Sequence, residues 1–204
     1  MSVITFSESL GVGKFTWGQQ RRDLSFNSLF GSQSVGISSP LWMVSITSSN
    51  SKESDAGAWQ SLLLKLSGKV NQLELWNVMR PSPIGTMRGT MTLNAAAAQG
   101  DVALSIIAAS EAAKTLKAGD LLGMGSGTTQ QVVMVLDDAV ANGSGVISVN
   151  INPALRNAFA GGASVVWDKP KALFRQSATK ASWDYAQGRA VGGMSLDLIE
   201  DWRA

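Results

Sequence analysis

The residues of this chain best able to do chemistry are its clustered carboxylates. Asp137 and Asp138 are adjacent, and Asp197, Glu200 and Asp201 follow one another closely further along the chain. Paired carboxyl groups can hydrolyse glycosides, and several carboxylate oxygens can hold calcium. Neighbouring residues of a strand point to opposite faces, so Asp137 and Asp138 are better explained as a strand end that enters a turn. A glycosidase that depends on Asp137 or Asp138 remains an alternative hypothesis.

Two glycine-rich segments match nucleotide-binding motifs only in part. Gly11-Val12-Gly13-Lys14 has Glu8 where a phosphate loop needs its first glycine, and Phe15 where a hydroxyl should follow the lysine. Gly123-Met124-Gly125-Ser126-Gly127 follows a strand-like run, but the next residues are also strand-like, whereas a dinucleotide fingerprint opens a helix. We therefore expect a hairpin turn at the second segment and no cofactor at either.

Composition excludes several enzyme classes. The chain has 204 residues with no histidine and no cysteine. Ser-His-Asp and Cys-His catalytic sets, thiolate zinc sites and histidine-liganded metals therefore cannot form. Disulfide bonds are excluded as well. We expect a protein that is not an enzyme, with no catalytic residue, no metal site and no cofactor.

Charge and hydropathy point to protein partners. The net charge of +2 is small, and the basic residues are scattered apart from the adjacent pair Arg21 and Arg22, so direct nucleic-acid recognition is not expected. Long apolar runs and a secretory-type start are also missing, so we expect no membrane insertion and no classical export. Only 16% of the residues are charged and 45% are hydrophobic, which suggests that other subunits cover part of the surface.

Seven tryptophans are spread along the whole chain. Exposed tryptophans can stack on sugars, so a carbohydrate- or receptor-binding module is the second functional hypothesis. Most of them fall on apolar faces, however, which favours packing in the core or at a subunit interface. Trp202, beside Asp201 and Arg203, is the best candidate for an anchor against a partner, and we predict an interface that contains Trp202, Arg21 and Arg22.

The pattern of apolar residues predicts a mainly β protein with one clear helix, at about residues 50–68. Asn50 can cap this helix, Gly68 can end it, and Ala56, Trp59, Leu63 and Leu66 form one apolar stripe. Strand-like alternation precedes the helix from Trp42 and follows it at Leu73. Beyond Pro83, short strands separated by turns are typical of a small barrel of about five strands.

These elements predict an α+β fold in two domains. Residues 84–168 form an inserted small β-barrel-like module. The remaining tail is too short to fold alone, so residues 1–83 and 169–204 should combine into one split, sandwich-like or barrel-like domain whose sheet contains strands from both ends. Strands near the N-terminus and the strand at Val191–Ile199 are expected to be open edges that a neighbouring copy covers.

The order of these features resembles the distal tail proteins of long-tailed bacteriophages, a family of tail-tip proteins. The resemblance rests on PLWMVSIT, AWQSLLLKLSGKV and RPSPIGTMRG, then on AGDLLGMG, INPALRNAFAGGASVVWDKP and FRQSATKASWDYAQGRAVGGMSLDLIE, and spans most of Leu41–Glu200. All of these are scaffold and turn positions.

The resemblance implies a structural ring subunit of the virion tail tip, usually a hexamer, made in the host cytoplasm. The split domain would form the ring on the tail tube, and the second domain would face other baseplate or fibre proteins. Members of that family typically carry the second domain after the first, whereas here the module is expected to be inserted.

Overall fold

The computed structural model describes residues 2–49, 51–183, 185–186, 190–191 and 193–202. Within these ranges the chain forms nineteen strands, one α-helix and one 3-10 turn at Gly127–Thr129. In chain order the elements are β1 (Val3–Thr5), β2 (Val12–Gln20), β3 (Asp23–Ser28), β4 (Gly31–Gly36), β5 (Leu41–Ser48), β6 (Ser51–Lys52), α1 (Glu53–Leu66), β7 (Gln72–Trp76), β8 (Met91–Leu93), β9 (Ala103–Ile107), β10 (Thr115–Leu116), β11 (Leu121–Met124), β12 (Gln131–Val135), β13 (Ala139–Val140), β14 (Val146–Asn152), β15 (Ser164–Val166), β16 (Lys171–Gln176), β17 (Tyr185–Ala186), β18 (Ala190–Val191) and β19 (Ser195–Glu200).

The fold is mainly β with a single helix among the described residues, as the sequence predicted. It divides into two compact units. Unit 1 combines Met1–Gln20, Leu41–Leu75 and Leu173–Ala204, and unit 2 combines Arg21–Pro40 with Trp76–Ala172. Residues 21–40 thus group with the second unit, whereas the sequence placed them in the first domain.

Unit 1 is built on a six-stranded sheet in the order β1-β7-β16-β19-β5-β2. Strands from both ends of the chain lie in it side by side, as expected. The sequence was wrong about the edge at Val191–Ile199, because β19 lies between β16 and β5 and is hydrogen-bonded on both sides. The open edges are β1 and β2, the latter nine residues long; both lie near the N-terminus, where the sequence also predicted open edges.

Helix α1 runs from Glu53 to Leu66, a little shorter than predicted. Asn50, the expected cap, lies outside the described residues. All four residues of the predicted stripe, from Ala56 to Leu66, are buried, and Gly68 ends the helix with a φ of 65°, a conformation that glycine adopts at low cost. At 14 residues this helix is too short to cross a membrane, and the described part of the chain contains no other α-helix.

The inner face of the sheet carries an aromatic cluster. Trp17 on β2 lies 5.6 Å from Trp42 on β5 and 5.6 Å from Phe174 on β16, measured between ring centroids, and it also stacks on Phe15. Tilted and edge-on pairs of this kind stabilise a core beyond their buried area, by about 0.5–1.5 kcal/mol each. The cluster therefore ties the edge strand β2 to the centre of the sheet and leaves the opposite face of β2 outward.

Unit 2 contains a closed six-stranded barrel in the order β11-β12-β14-β9-β8-β15, one strand more than predicted. Its interior is filled by apolar side chains from every strand, including Met91, Ile106, Leu122, Val133 and Ile151. The Gly123–Gly127 segment is the start of a hairpin connection between the antiparallel strands β11 and β12, which confirms the turn that the sequence predicted.

Two charged side chains organise the loop that leads into the barrel: Asp120, which is buried, and Arg88, which is exposed. The carboxylate of Asp120 is 1% exposed and accepts backbone N–H groups of Ile84, Gly85 and Lys117 at 2.6–3.0 Å. Arg88 donates to the carbonyl oxygens of Pro83, Gly85 and Met87 at 2.7–2.8 Å. Both groups satisfy backbone atoms that have no strand partner, so their role is structural.

Candidate functional site

The most unusual surface of this protein is the hairpin formed by β3 and β4. Six residue pairs join the strands, from Asp23 opposite Gly36 to Ser28 opposite Gly31, and Leu29 and Phe30 form the tip. Ser28 supports the turn by donating its hydroxyl to the carbonyl of Gly31 and accepting the N–H of Phe30. Each strand is about 20 Å long. Every residue of both strands is exposed.

The two faces of this hairpin differ in chemistry. The cross-strand register places Leu24 opposite Val35 and Phe26 opposite Gln33 on one face, whereas Ser25 opposite Ser34 and Asn27 opposite Ser32 lie on the other. We call the first face, with Ile37 and the tip, the apolar face; it includes Leu24, Phe26, Leu29, Phe30, Gln33, Val35 and Ile37.

The apolar face is uncovered. Leu29 and Phe30 are 98% and 100% exposed, and the other four apolar side chains are 47–61% exposed. Together they amount to about four fully exposed large side chains, or roughly 600–800 Å². Soluble monomers rarely show so large a contiguous apolar patch unless it binds something.

The base of the hairpin is attached to unit 2. Arg156, a buried residue, donates from Nη2 to the carbonyl of Pro40 at 3.0 Å. The N–H of Ile37 donates to the carbonyl of Arg22, so the hydrogen bonding between the two strands continues one residue beyond Asp23, away from the tip. By alternation Arg22 lies on the apolar face, whereas Arg21 pairs with Asp23 at 3.3 Å on the polar one.

A second candidate surface lies on the outward face of the sheet in unit 1. A groove of about 350 Å³ runs across β2, β5 and β19. Its floor contains Gly18 beside its register partner Met43, which is 42% exposed, and Asp197 beside its register partner Ser45. A side chain at Gly18 would meet no atom within 4 Å, so this glycine leaves the notch that forms the groove.

The interface residues predicted from sequence fall on both units. Arg21 and Arg22 are exposed at the base of the hairpin in unit 2. Trp202, in unit 1, is half-buried instead of fully exposed. The interface role of these three residues stays a prediction.

The carboxylates considered for catalysis have structural partners. Asp138 accepts Lys117 Nζ at 2.7 Å and the N–H of Ala118 at 2.9 Å, and these hydrogen bonds lower the pKa of its carboxyl group from the usual 3.8. Asp137 accepts the amide of Asn150 at 3.0 Å. The two side chains thus bond to different groups at the end of β12, as expected for a strand end that enters a turn.

The C-terminal acids are likewise dispersed. Glu200 is buried and accepts the N–H of Trp42, and Asp201 pairs with Arg175 and accepts from Gln72. Of these three acids, Asp197 is the one that is exposed. Within the described part of the chain, no group of three acidic side chains is close enough to hold a metal ion.

All seven tryptophans fall among the described residues, and each is buried or half-buried. Trp167, for example, donates its indole N–H to Gly89 and carries the guanidinium of Arg88 over its ring at 5.2 Å. The Trp167 ring is therefore engaged in packing.

Sequence reasoning did not single out the hairpin or the groove. The signal for the hairpin was present in the alternation of Leu24 and Phe26 with Ser25 and Asn27. The groove carries no comparable signal, because it depends on the pairing of strands far apart in the chain. A scan of protein-family models and a search of curated proteins found no match to this chain.

Proposed function

We propose that this chain is a structural subunit of a phage tail tip, which forms a ring at the distal end of the tail tube and serves as an attachment platform for neighbouring baseplate or fibre proteins. The observation that carries the proposal is the uncovered apolar face of the hairpin. A surface of roughly 600–800 Å² approaches the ~800 Å² that each partner contributes to a standard stable interface. The order of sequence features supports the assignment to phage tails.

Assembly is also the role that the hairpin's physical chemistry favours. An isolated two-stranded hairpin is only marginally stable in water, and an apolar face exposed to solvent contributes nothing to the folding of the monomer. Association with a partner buries this face and orders the hairpin at the same time. Heterologous contacts between identical subunits close into a ring when the rotation between neighbours divides a full turn.

The residues that could serve a glycosidase or a sugar-binding module also have structural contacts. Asp137 and Asp138 bond to nearby side chains and backbone groups, and Trp167 donates its indole N–H to Gly89. These contacts give the two adjacent acids and this indole ring a structural role. The proposal therefore assigns no catalytic, cofactor or metal residue.

The test is the assembly state of the purified full-length chain, measured by native mass spectrometry and negative-stain electron microscopy. We expect a closed ring, most simply a hexamer. A chain that stays monomeric at all accessible concentrations contradicts the ring. For the phage assignment, immunogold labelling of virions of the encoding phage should place the protein at the distal end of the tail, and labelling elsewhere refutes it.

A matched pair of variants connects ring formation to the hairpin. Phe26→Asp puts a charge on the apolar face, and Asn27→Asp puts the same charge on the next residue, which lies on the polar face. We expect the first variant to abolish the ring and the second to leave it intact. Equal behaviour of the two variants contradicts a role for the apolar face.

A further inference from the structure

We infer that the apolar face of the hairpin of one copy docks into the groove on the outward sheet face of unit 1 of the next copy. This inference rests on the proposed self-assembly and names the surface that receives the hairpin. The occupant is therefore a second copy of this chain, and each copy both donates a hairpin and receives one.

The groove matches the hairpin in chemistry and size. The missing side chain at Gly18 and the exposed thioether of Met43 provide an apolar depression of about 350 Å³. That volume is at the lower end of the pockets that bind small molecules, and it is sufficient for one or two large side chains. Leu24 and Phe26, two residues apart on β3, point in the same direction and fit such a depression.

The charges of the two surfaces are complementary. Arg22 is the charged residue that alternation places on the apolar face of the hairpin. Asp197 is the charged residue among those lining the groove. One of its carboxylate oxygens accepts the hydroxyl of Ser45 at 2.7 Å, and a carboxylate has about four acceptor positions, so it can also accept from a guanidinium.

Strand β2 makes the groove accessible. It is an edge of the six-stranded sheet, so among the described residues no further strand pairs with β2 beyond Thr16, Gly18 and Gln20. A flat hairpin can approach such an edge from the side and lie across the outward face. Natural proteins commonly cover long edge strands of this kind with another element.

In this contact each copy uses two different patches, the hairpin as donor and the groove as acceptor. Such a contact is heterologous, since the donor patch and the acceptor patch differ, and a ring leaves no hairpin and no groove unoccupied when it closes. A symmetric hairpin-to-hairpin contact would instead produce dimers and would leave the groove empty.

A charge exchange between Arg22 and Asp197 tests the pairing. Arg22→Asp and Asp197→Arg alone should each weaken association at least tenfold, and the double variant should recover most of the loss. Asp197→Asn is the control for the intramolecular bond to Ser45, because its amide oxygen still accepts a hydrogen bond. Rings that form equally well in both single variants overturn this inference but leave the proposed ring function standing.

Filling the notch is an independent test. Gly18→Leu places a side chain where the monomer has open space, so the fold should be unchanged by circular dichroism and thermal unfolding. We expect this variant to stay monomeric. Gly143→Leu, at another glycine with open space in unit 2, is the matched control and should assemble normally. Normal assembly of Gly18→Leu contradicts docking in the groove.

Crosslinking locates the contact directly. A photoreactive amino acid at Phe26 should crosslink between copies to peptides from β2, β5 or β19, identified by mass spectrometry. A crosslink to the β3–β4 hairpin of another copy indicates the symmetric dimer instead and overturns the inference. If the protein forms rings but the crosslinks map to parts of unit 2 outside the hairpin, self-assembly is retained and the groove is rejected as its acceptor.

Discussion

Removal of the two tip residues of the hairpin should separate association from folding. Leu29 and Phe30 are 98% and 100% exposed, so the isolated subunit gains almost no stability from them. Replacing both with serine leaves the neighbouring turn residues Ser28 and Gly31 unchanged. We therefore expect the free energy of unfolding of the monomer to change by no more than about 0.5 kcal/mol.

The expected effect on association is much larger. Complete burial of a leucine or phenylalanine side chain is worth about 1.5–3 kcal/mol, so the two residues together could supply about 3–6 kcal/mol. Ordering the tip costs part of this gain, which leaves about 3 kcal/mol for each subunit contact. That value corresponds to a Kd roughly a hundredfold weaker.

The assay is sedimentation velocity over a concentration series, with chemical denaturation of the same samples as the stability control. The wild-type chain should sediment as a closed oligomer, and the Leu29→Ser/Phe30→Ser variant should sediment as a folded monomer at concentrations where the wild type is assembled. If the variant keeps the wild-type Kd, the tip is not buried on assembly. If the variant unfolds more easily by several kcal/mol, the tip has a structural role that its exposure does not reveal.

Three further predictions concern stability. Because the pKa of Asp138 is lowered in the folded state, its bond to Lys117 stabilises the protein above about pH 3.8, and this contribution is lost as the pH falls through the lower folded pKa. The melting temperature of Asp138→Asn, measured by thermal unfolding, should therefore differ from that of the wild type near neutral pH and converge with it in acid. Asp120→Ala leaves three backbone N–H groups without their acceptor and should lower the free energy of unfolding, measured in urea, by about 2–4 kcal/mol. An unfolding midpoint equal to that of the wild type would show that water replaces the carboxylate freely. Gly85→Ala directs a methyl group into the backbone of β10, where it would lie 2.7 Å from Leu116 Cα, and should lower the melting temperature by several degrees. Gly143→Ala places its methyl group in open space and should leave the melting temperature unchanged. Equal melting temperatures of the two variants would contradict the close packing at Gly85.

The sequence predicted the elements that depend on local periodicity. The stripe from Ala56 to Leu66 predicted helix α1, and its four residues are buried. Alternation of Trp42, Val44 and Ile46 with Met43 and Ser45 predicted a strand with one buried face, and β5 buries every second residue. The Gly123–Gly127 turn followed from composition as well, because only a turn suits glycines between two apolar strand-like runs. These features are set by residues close together in the chain.

Features that depend on distant residues were predicted less well. The barrel has six strands where five were expected, and β19 lies inside the sheet where an edge was expected. Alternation shows which face of a strand is apolar, but it does not show which strand lies beside it. The hairpin illustrates the same limit, because Leu24 and Phe26 alternate like core residues and are nevertheless exposed.

What the sequence by itself determined is the chemistry available to this protein: with no histidine and no cysteine it excludes the commonest catalytic and metal sites. It also determined the local elements, since helical and strand periodicity are properties of neighbouring residues. Only the tertiary structure decided that β19 lies inside the sheet, that Gly18 leaves a groove beside Met43, and that an apolar hairpin face remains uncovered. Burial and edge position are properties of the whole packed chain, because they depend on contacts between residues far apart in sequence.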